Sequence, residues 1–179
     1  LTTDTDETYI EFDFSGSVIS ITPVSATDDT TVTVVYSAED AFGENLTLSF
    51  NVRVVNGPSV ESPLDDIELT ISGDSVYVSF SGVFASSIAD LGLNYSITNT
   101  AQTISEVTEF SSDQQYFVVD DLLVGNSTLL LTVSDSLNAT ATDTINVVVN
   151  DAPSVNDIPN QLFTVGQTVG VPFNQVLST

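Results

Sequence analysis

Val54-Val55-Asn56-Gly57-Pro58-Ser59-Val60 returns near the far end of the chain as Val148-Val149-Asn150-Asp151-Ala152-Pro153-Ser154-Val155. Pro58 and Pro153 stand 95 residues apart (153 − 58). That is the length of one β-sandwich domain, so the chain reads as a piece of a tandem array.

Outward from that stretch the repetition continues. Leu46, Leu48, Phe50, Val52 and Val54 alternate with Asn45, Thr47, Ser49, Asn51 and Arg53, the period of a strand with one inward face. The second copy sets Ala139, Ala141, Ile145, Val147 and Val149 inward, interrupted by Asp143, with Thr140, Thr142, Thr144 and Asn146 opposite. In the preceding strand Val34, Tyr36 and Ala38 correspond to Leu129, Leu131 and Val133, and Asp40 falls on Asp135. Turn-like residues follow each aspartate, Ala41-Phe42-Gly43 and Ser136-Leu137-Asn138, so each strand pair reads as a hairpin. Earlier in the domain, Val76, Val78, Phe80, Val83 and Phe84 match Val169, Val171, Phe173, Val176 and Leu177 at a spacing of 93 (169 − 76). The smaller spacing implies short loop deletions.

These correspondences predict an all-β chain of Greek-key β-sandwiches in tandem. Residues 57–151 form one complete domain, 1–56 the later strands of another, and 152–179 the opening strands of a third. Reading from Thr179 into Leu1 gives a natural strand-loop-strand passage. Two explanations stay open: a two-domain repeat unit cut inside a domain, or an arbitrarily bounded stretch. On the first, 152–179 completes a 1–56 domain of an adjacent unit, through the chain or by strand donation.

Composition narrows the function classes. Twenty-five acidic residues face one basic residue, Arg53, for a formal charge of −24. Such repulsion disfavours a compact state unless bound cations or a salty medium screen it. Nucleic acid is excluded as a partner because phosphate binding needs clusters of Lys and Arg, and anionic membrane surfaces are disfavoured for the same reason. No apolar run approaches membrane-spanning length. The chain lacks His, Cys and Lys, which removes the common catalytic bases, the thiol and amine nucleophiles and most transition-metal ligands. A carboxylate-pair glycosidase survives in principle, but the acids fall mainly on turns, and no enzyme activity is expected.

The run Ile145-Asn146-Val147-Val148-Val149-Asn150-Asp151-Ala152-Pro153 resembles the domain junction of bacterial cadherin-like repeats, including the dystroglycan-type domains of large surface proteins. Ile158-Pro159-Asn160-Gln161-Leu162-Phe163-Thr164-Val165-Gly166 is similar to that family's opening strand, and Phe12–Pro23 to its mid-domain. The resemblance implies Ig/cadherin-like sandwiches with calcium where one domain meets the next. Ca²⁺ takes six to eight oxygens gathered from several loops. The residues carried over by this resemblance are Asn150 and Asp151 in the linker, Asp4 and Asp6 in an Asp-x-Asp loop of the next domain, and Asp40 beyond a late strand, with Glu7 able to add an oxygen. The junction at Asn56-Gly57-Pro58 has lost the linker aspartate, and Ser86–Gly92 keeps one acid, Asp90, so that junction is expected to be metal-free. The alternative for any single turn aspartate is a local bond to the main chain without metal. Asp28-Asp29, Asp65-Asp66 and Asp120-Asp121 read as solvated turn acids.

The resemblance implies a structural repeat of an extracellular adhesin, surface fibre or filament, whose partners are neighbouring copies head to tail. A glycan- or protein-binding module of a cell-surface protein is the alternative, which exposed aromatic clusters would favour. Asn45, Asn94, Asn126 and Asn138 head glycosylation sequons, a weak signal in a chain rich in Asn, Ser and Thr.

Overall fold

Period-2 alternation of Val, Ile, Thr and aromatic residues produces strands throughout, and among the described residues no α-helix is present. The computed structural model describes residues 2–3, 9–24, 29–73, 75–86, 91–155, 160, 162, 164–168, 170 and 177–178. In chain order the strands are β1 (Thr2–Thr3), β2 (Ile10–Ser15), β3 (Val18–Pro23), β4 (Asp29–Glu39), β5 (Asn45–Val55), β6 (Ser59–Val60), β7 (Ile67–Thr70) and β8 (Ser75–Ser79). They continue as β9 (Phe84–Ala85), β10 (Leu93–Asn99), β11 (Ser105–Ser111), β12 (Tyr116–Asp121), β13 (Gly125–Asp135), β14 (Thr140–Asn150), β15 (Ser154–Val155) and β16 (Leu177–Ser178).

Residues 57–151 supply two sheets of an all-β sandwich, one ordered β10-β13-β14-β7 and the other β11-β12-β8, and also the short pair β6–β9. The chain passes from β8 in one sheet to β10 in the other, returns through β11 and β12, and crosses again to β13 and β14. This is a Greek-key path. Strand β7 lies parallel to β14, Ile67 opposite Val147 and Leu69 opposite Val149. The earlier residues give the sheet β1-β4-β5 and the hairpin β2–β3, and the last ones give the pair β15–β16.

Two compact units are present, Leu1–Ser62 with Gly82–Tyr95 and Thr132–Thr142, and Pro63–Ser81 with Ser96–Leu131 and Asp143–Thr179. In the first, Ile10, Val32, Val34 and Val54 are buried together, with Tyr9, Phe12, Ile21 and Val52 packed against them. In the second, Phe80, Phe117, Val119, Leu129, Leu131, Ile145, Val147 and Val149 are buried. The Phe80 ring stacks on those of Phe110 and Phe117, with centroids 5.8 and 6.3 Å away.

The two long hairpins differ in how well their apolar faces are covered. In β13–β14 the inward face is sealed: Leu129, Leu131, Val133, Ile145 and Val147 are all at 0% exposure. In β4–β5 the alternation is correct, but Leu46, Leu48 and Phe50 are 72%, 51% and 37% exposed. Pairing fixes which side a residue faces, whereas burial needs a second layer. Among the described residues no such layer covers this end of β5.

Gly57, between β5 and β6, explains why this junction carries no larger residue. A Cβ there would lie 2.7 Å from the Cβ of Ala139.

Candidate ion-binding turns and an exposed aromatic face

Asp40 follows β4 directly and organises the turn into β5. Its Oδ1 accepts the N–H groups of Phe42 at 2.8 Å and Glu44 at 3.0 Å. The main chain closes the same loop, with Asp40 N–H donating to the Glu44 carbonyl and Gly43 N–H to the Asp40 carbonyl. Gly43 sits at φ +86°, the left-handed position of a three-residue hairpin loop. Asp135 repeats every element. Its Oδ1 accepts Leu137 N–H and Ala139 N–H, both at 2.9 Å, and Asn138 takes the left-handed place at φ +66°. The local main-chain role therefore holds for both aspartates, and Asp40 is exposed.

Of the other expected ion ligands, Asn150 and Asp151 fall among the described residues. Asn150 and Asp151 are exposed, and the Asn150 carbonyl accepts Ile71 N–H at 2.9 Å. Asp4, Asp6 and Glu7 lie outside the described residues, as does Asp90 of the other junction. Among the described residues no three acids come together in a group that could hold a metal ion.

The remaining acids divide by burial. Asp120 and Asp121 are not turn acids. They end β12, and Asp121 is 8% exposed, its Oδ2 accepting Ser72 N–H at 2.9 Å and Gly73 N–H at 3.3 Å. Asp143, which interrupts the apolar alternation, is buried and its Oδ2 accepts Leu64 N–H at 2.8 Å. Both carboxylates accept loop amides, as main-chain N–H groups taken out of water require. The break at Asp143 is the only sequence signal of this role.

Asp66 and Asp29 are exposed. Asn146 donates its main-chain N–H at 2.9 Å and its side-chain amide at 3.2 Å to Asp66, and these bonds hold the carboxyl below the usual aspartate range. Arg53 forks onto Asp29 through Nε and Nη2 at 2.7 and 2.8 Å, lowering that carboxyl as well. The single basic residue of the chain thus serves as a clamp between β4 and β5.

One surface feature has no signal in the local sequence. Tyr77 on β8 stacks on Tyr116 of neighbouring β12, centroids 4.8 Å apart and planes at 27°. Tyr77 is 62% exposed. The Tyr116 hydroxyl donates to Glu109 Oε1, which raises the phenol above its ordinary pKa. Beside Tyr77 runs a groove of about 410 Å³ that Asp65, Asp66 and Glu68 also line.

No protein-family profile matches the chain, and no curated protein matches it. Among solved structures, the PKD domain from KIAA 1837 protein is 21% identical, with a TM-score of 0.33 over 63% of this chain and 94% of that domain. The endo-fucoidan hydrolase MfFcnA4 from glycoside hydrolase family 107 is 13% identical, with a TM-score of 0.38 over 89% of this chain. Protocadherin gammaB7 EC3-6 is 17% identical, with a TM-score of 0.35 over 92% of this chain. This chain spans 25% of the hydrolase and 46% of the protocadherin fragment. At these scores they assign neither family nor activity.

Proposed function

We propose that this chain is a structural repeat of an extracellular adhesin, surface fibre or filament. Residues 1–56 are the closing part of one sandwich, 57–151 a complete one and 152–179 the opening of the next. The observation that supports this is double repetition of local structure. The aspartate-held turn of β4–β5 recurs in β13–β14. The pairing Ser59 with Ala85 and Val60 with Phe84 recurs as Ser154 with Ser178 and Val155 with Leu177.

In this reading calcium rigidifies the junction where Asn150 and Asp151 of one copy meet Asp4, Asp6, Glu7 and Asp40 of the next. The ion supplies positive charge that a chain of net charge −24 lacks, and the exposed Asp40 carboxylate is open to it. Enzyme activity forms no part of this function.

The test is a protein of two copies joined from Thr179 to Leu1. Millimolar Ca²⁺ should raise its melting temperature relative to chelator, because an ion bound only to the folded state shifts unfolding by mass action. Asp151→Ala and Asp6→Ala should weaken the effect and Asp90→Ala should not. An unchanged melt sinks the calcium assignment. Equal losses from all three substitutions point to general charge relief instead.

The exposed Tyr77, stacked on half-buried Tyr116, favours a second reading, a module that binds glycan on a cell surface, since sugar rings stack on exposed aromatic faces. Binding to a glycan array that Tyr77→Ala abolishes would establish it.

A further inference from the structure

Strand β8 is the outer strand of its sheet, paired with β12 and, among the described residues, with no strand on its other side. Phe80 N–H donates to the Gln115 carbonyl at 2.8 Å, in register with Ser79 opposite Tyr116 and Val78 opposite Phe117. Main-chain groups alternate in direction along an antiparallel strand. Val76 and Val78 therefore turn theirs toward β12, and Ser75, Tyr77 and Ser79 turn theirs to the open side. An edge of this kind is a template for strand addition.

The groove of about 410 Å³ lies along the same strand, between β8 and residues 64–68, which lead into β7. Half-buried Leu64, Val76 and Val78 give it apolar surface, and exposed Asp65, Asp66 and Glu68 give it negative charge. Tyr77 stands on the opposite face of β8 from Val76 and Val78, because successive strand residues alternate.

We propose that β8 takes up an extended segment of a partner protein that carries arginine or lysine at alternate positions. The added strand bonds through its main chain to Tyr77 and Ser79. Its basic side chains enter the groove, with their stems along Leu64, Val76 and Val78 and their charged heads at the three acids. Its other side chains lie beside the Tyr77 ring, which is held by its stack on Tyr116. Charge identifies the occupant as a different protein. This chain has one basic residue, Arg53, and that residue is clamped to Asp29, so a second copy has no matching segment. Strand addition takes affinity from main-chain bonds and selectivity from alternate side chains. A sugar stacked on Tyr77 would leave those main-chain groups unused, so the edge favours peptide. The proposal goes beyond the structural-repeat reading and does not depend on it.

Fluorescence anisotropy tests it, with the full 179-residue chain and a labelled short peptide that alternates arginine and valine. Salt of about 0.15 M screens distant charges. Asp65→Asn with Glu68→Gln should weaken binding about tenfold; Asp66 is left in place because it holds Asn146. Glu11→Gln with Asp13→Asn removes the same charge from exposed positions on β2 and should change affinity less than about twofold. The same peptide with every main-chain nitrogen methylated keeps its charge, loses its donors and should not bind. Ser79→Pro removes one outward N–H without taking a bond from β12 and should also weaken binding, with circular dichroism confirming that the strands remain. Equal binding of the two peptides, or equal losses from the two acid pairs, reduces the interaction to general charge attraction and overturns the proposal. A folded Ser79→Pro variant that binds like wild type overturns it as well. So does a wild-type chain that ignores the peptide, and one that instead binds a neutral oligosaccharide through Tyr77 assigns this face to sugar. None of these results bears on the array reading, which is judged on melting of the joined two-copy protein.

Discussion

Asp40 and Asp135 stand 95 residues apart and hold the same turn, each through one Oδ1 that accepts two main-chain N–H groups two and four residues ahead. The copies differ in surroundings. Asp135 is 3% exposed and Asp40 is open to solvent. Identical bonding at different burial makes the pair an internal control on what a turn-holding carboxylate contributes.

Asp135→Ala removes the buried acceptor of two main-chain N–H groups, and should destabilise the protein by about 1–3 kcal/mol. Asp40→Ala exposes its two donors to solvent and should cost no more than about 1 kcal/mol. Urea unfolding of both variants checks the ordering. Equal losses would show that burial is not what separates the two turns.

Asn138 occupies a left-handed position that Gly43 fills in the other hairpin. A β-branched side chain there meets the following carbonyl, so Asn138→Val should cost about 1–2 kcal/mol. Asn138→Gly should be tolerated. Thermal melts of the two variants decide it, and a neutral valine would mean the loop can change its conformation.

Ser105 and Ser127 are buried with their hydroxyl oxygens 2.6 Å apart, and Asn99 Nδ2 donates to the Ser105 carbonyl at 2.7 Å. Ser127→Ala removes a partner from an enclosed hydroxyl and should cost about 1–3 kcal/mol. Replacing both serines with alanine should recover part of that loss, because no hydroxyl remains unsatisfied. A double-mutant cycle measured by denaturant unfolding tests the coupling.

Asp66 has a folded-state pKa below the ordinary value of 3.8, chiefly because Asn146 N–H bonds the charged form. Its contribution is therefore complete above 3.8 and disappears as pH falls through the lower folded value. The melting temperature should exceed that of Asp66→Ala at neutral pH, and the gap should narrow only below 3.8. A gap that closes at higher pH would assign the effect to another group.

Strand identity, hairpin placement and the repeat were legible in the residues themselves. Alternation is a local property of the chain, and the turns at Asp40 and Asp135 are made by the few residues that follow each aspartate. The inward faces of both hairpins were legible for the same reason. Cover was not. Leu48 and Phe50 point the way their pattern requires and stay exposed, because burial depends on a layer supplied from elsewhere in sequence.

The acids divide along the same line. A turn aspartate reveals its role through its neighbours, but Asp121 and Asp143 serve amides at Ser72 and Leu64, 49 and 79 residues away. Nothing near them in sequence marks that duty beyond a break in alternation at Asp143. The Tyr77–Tyr116 stack likewise exists only because β8 and β12 pair. By itself the sequence determined the period, the strands and the turns, all set by interactions within a few residues. Which faces are sealed and which carboxylates are buried were decided by tertiary structure, because each depends on what distant segments bring to that place.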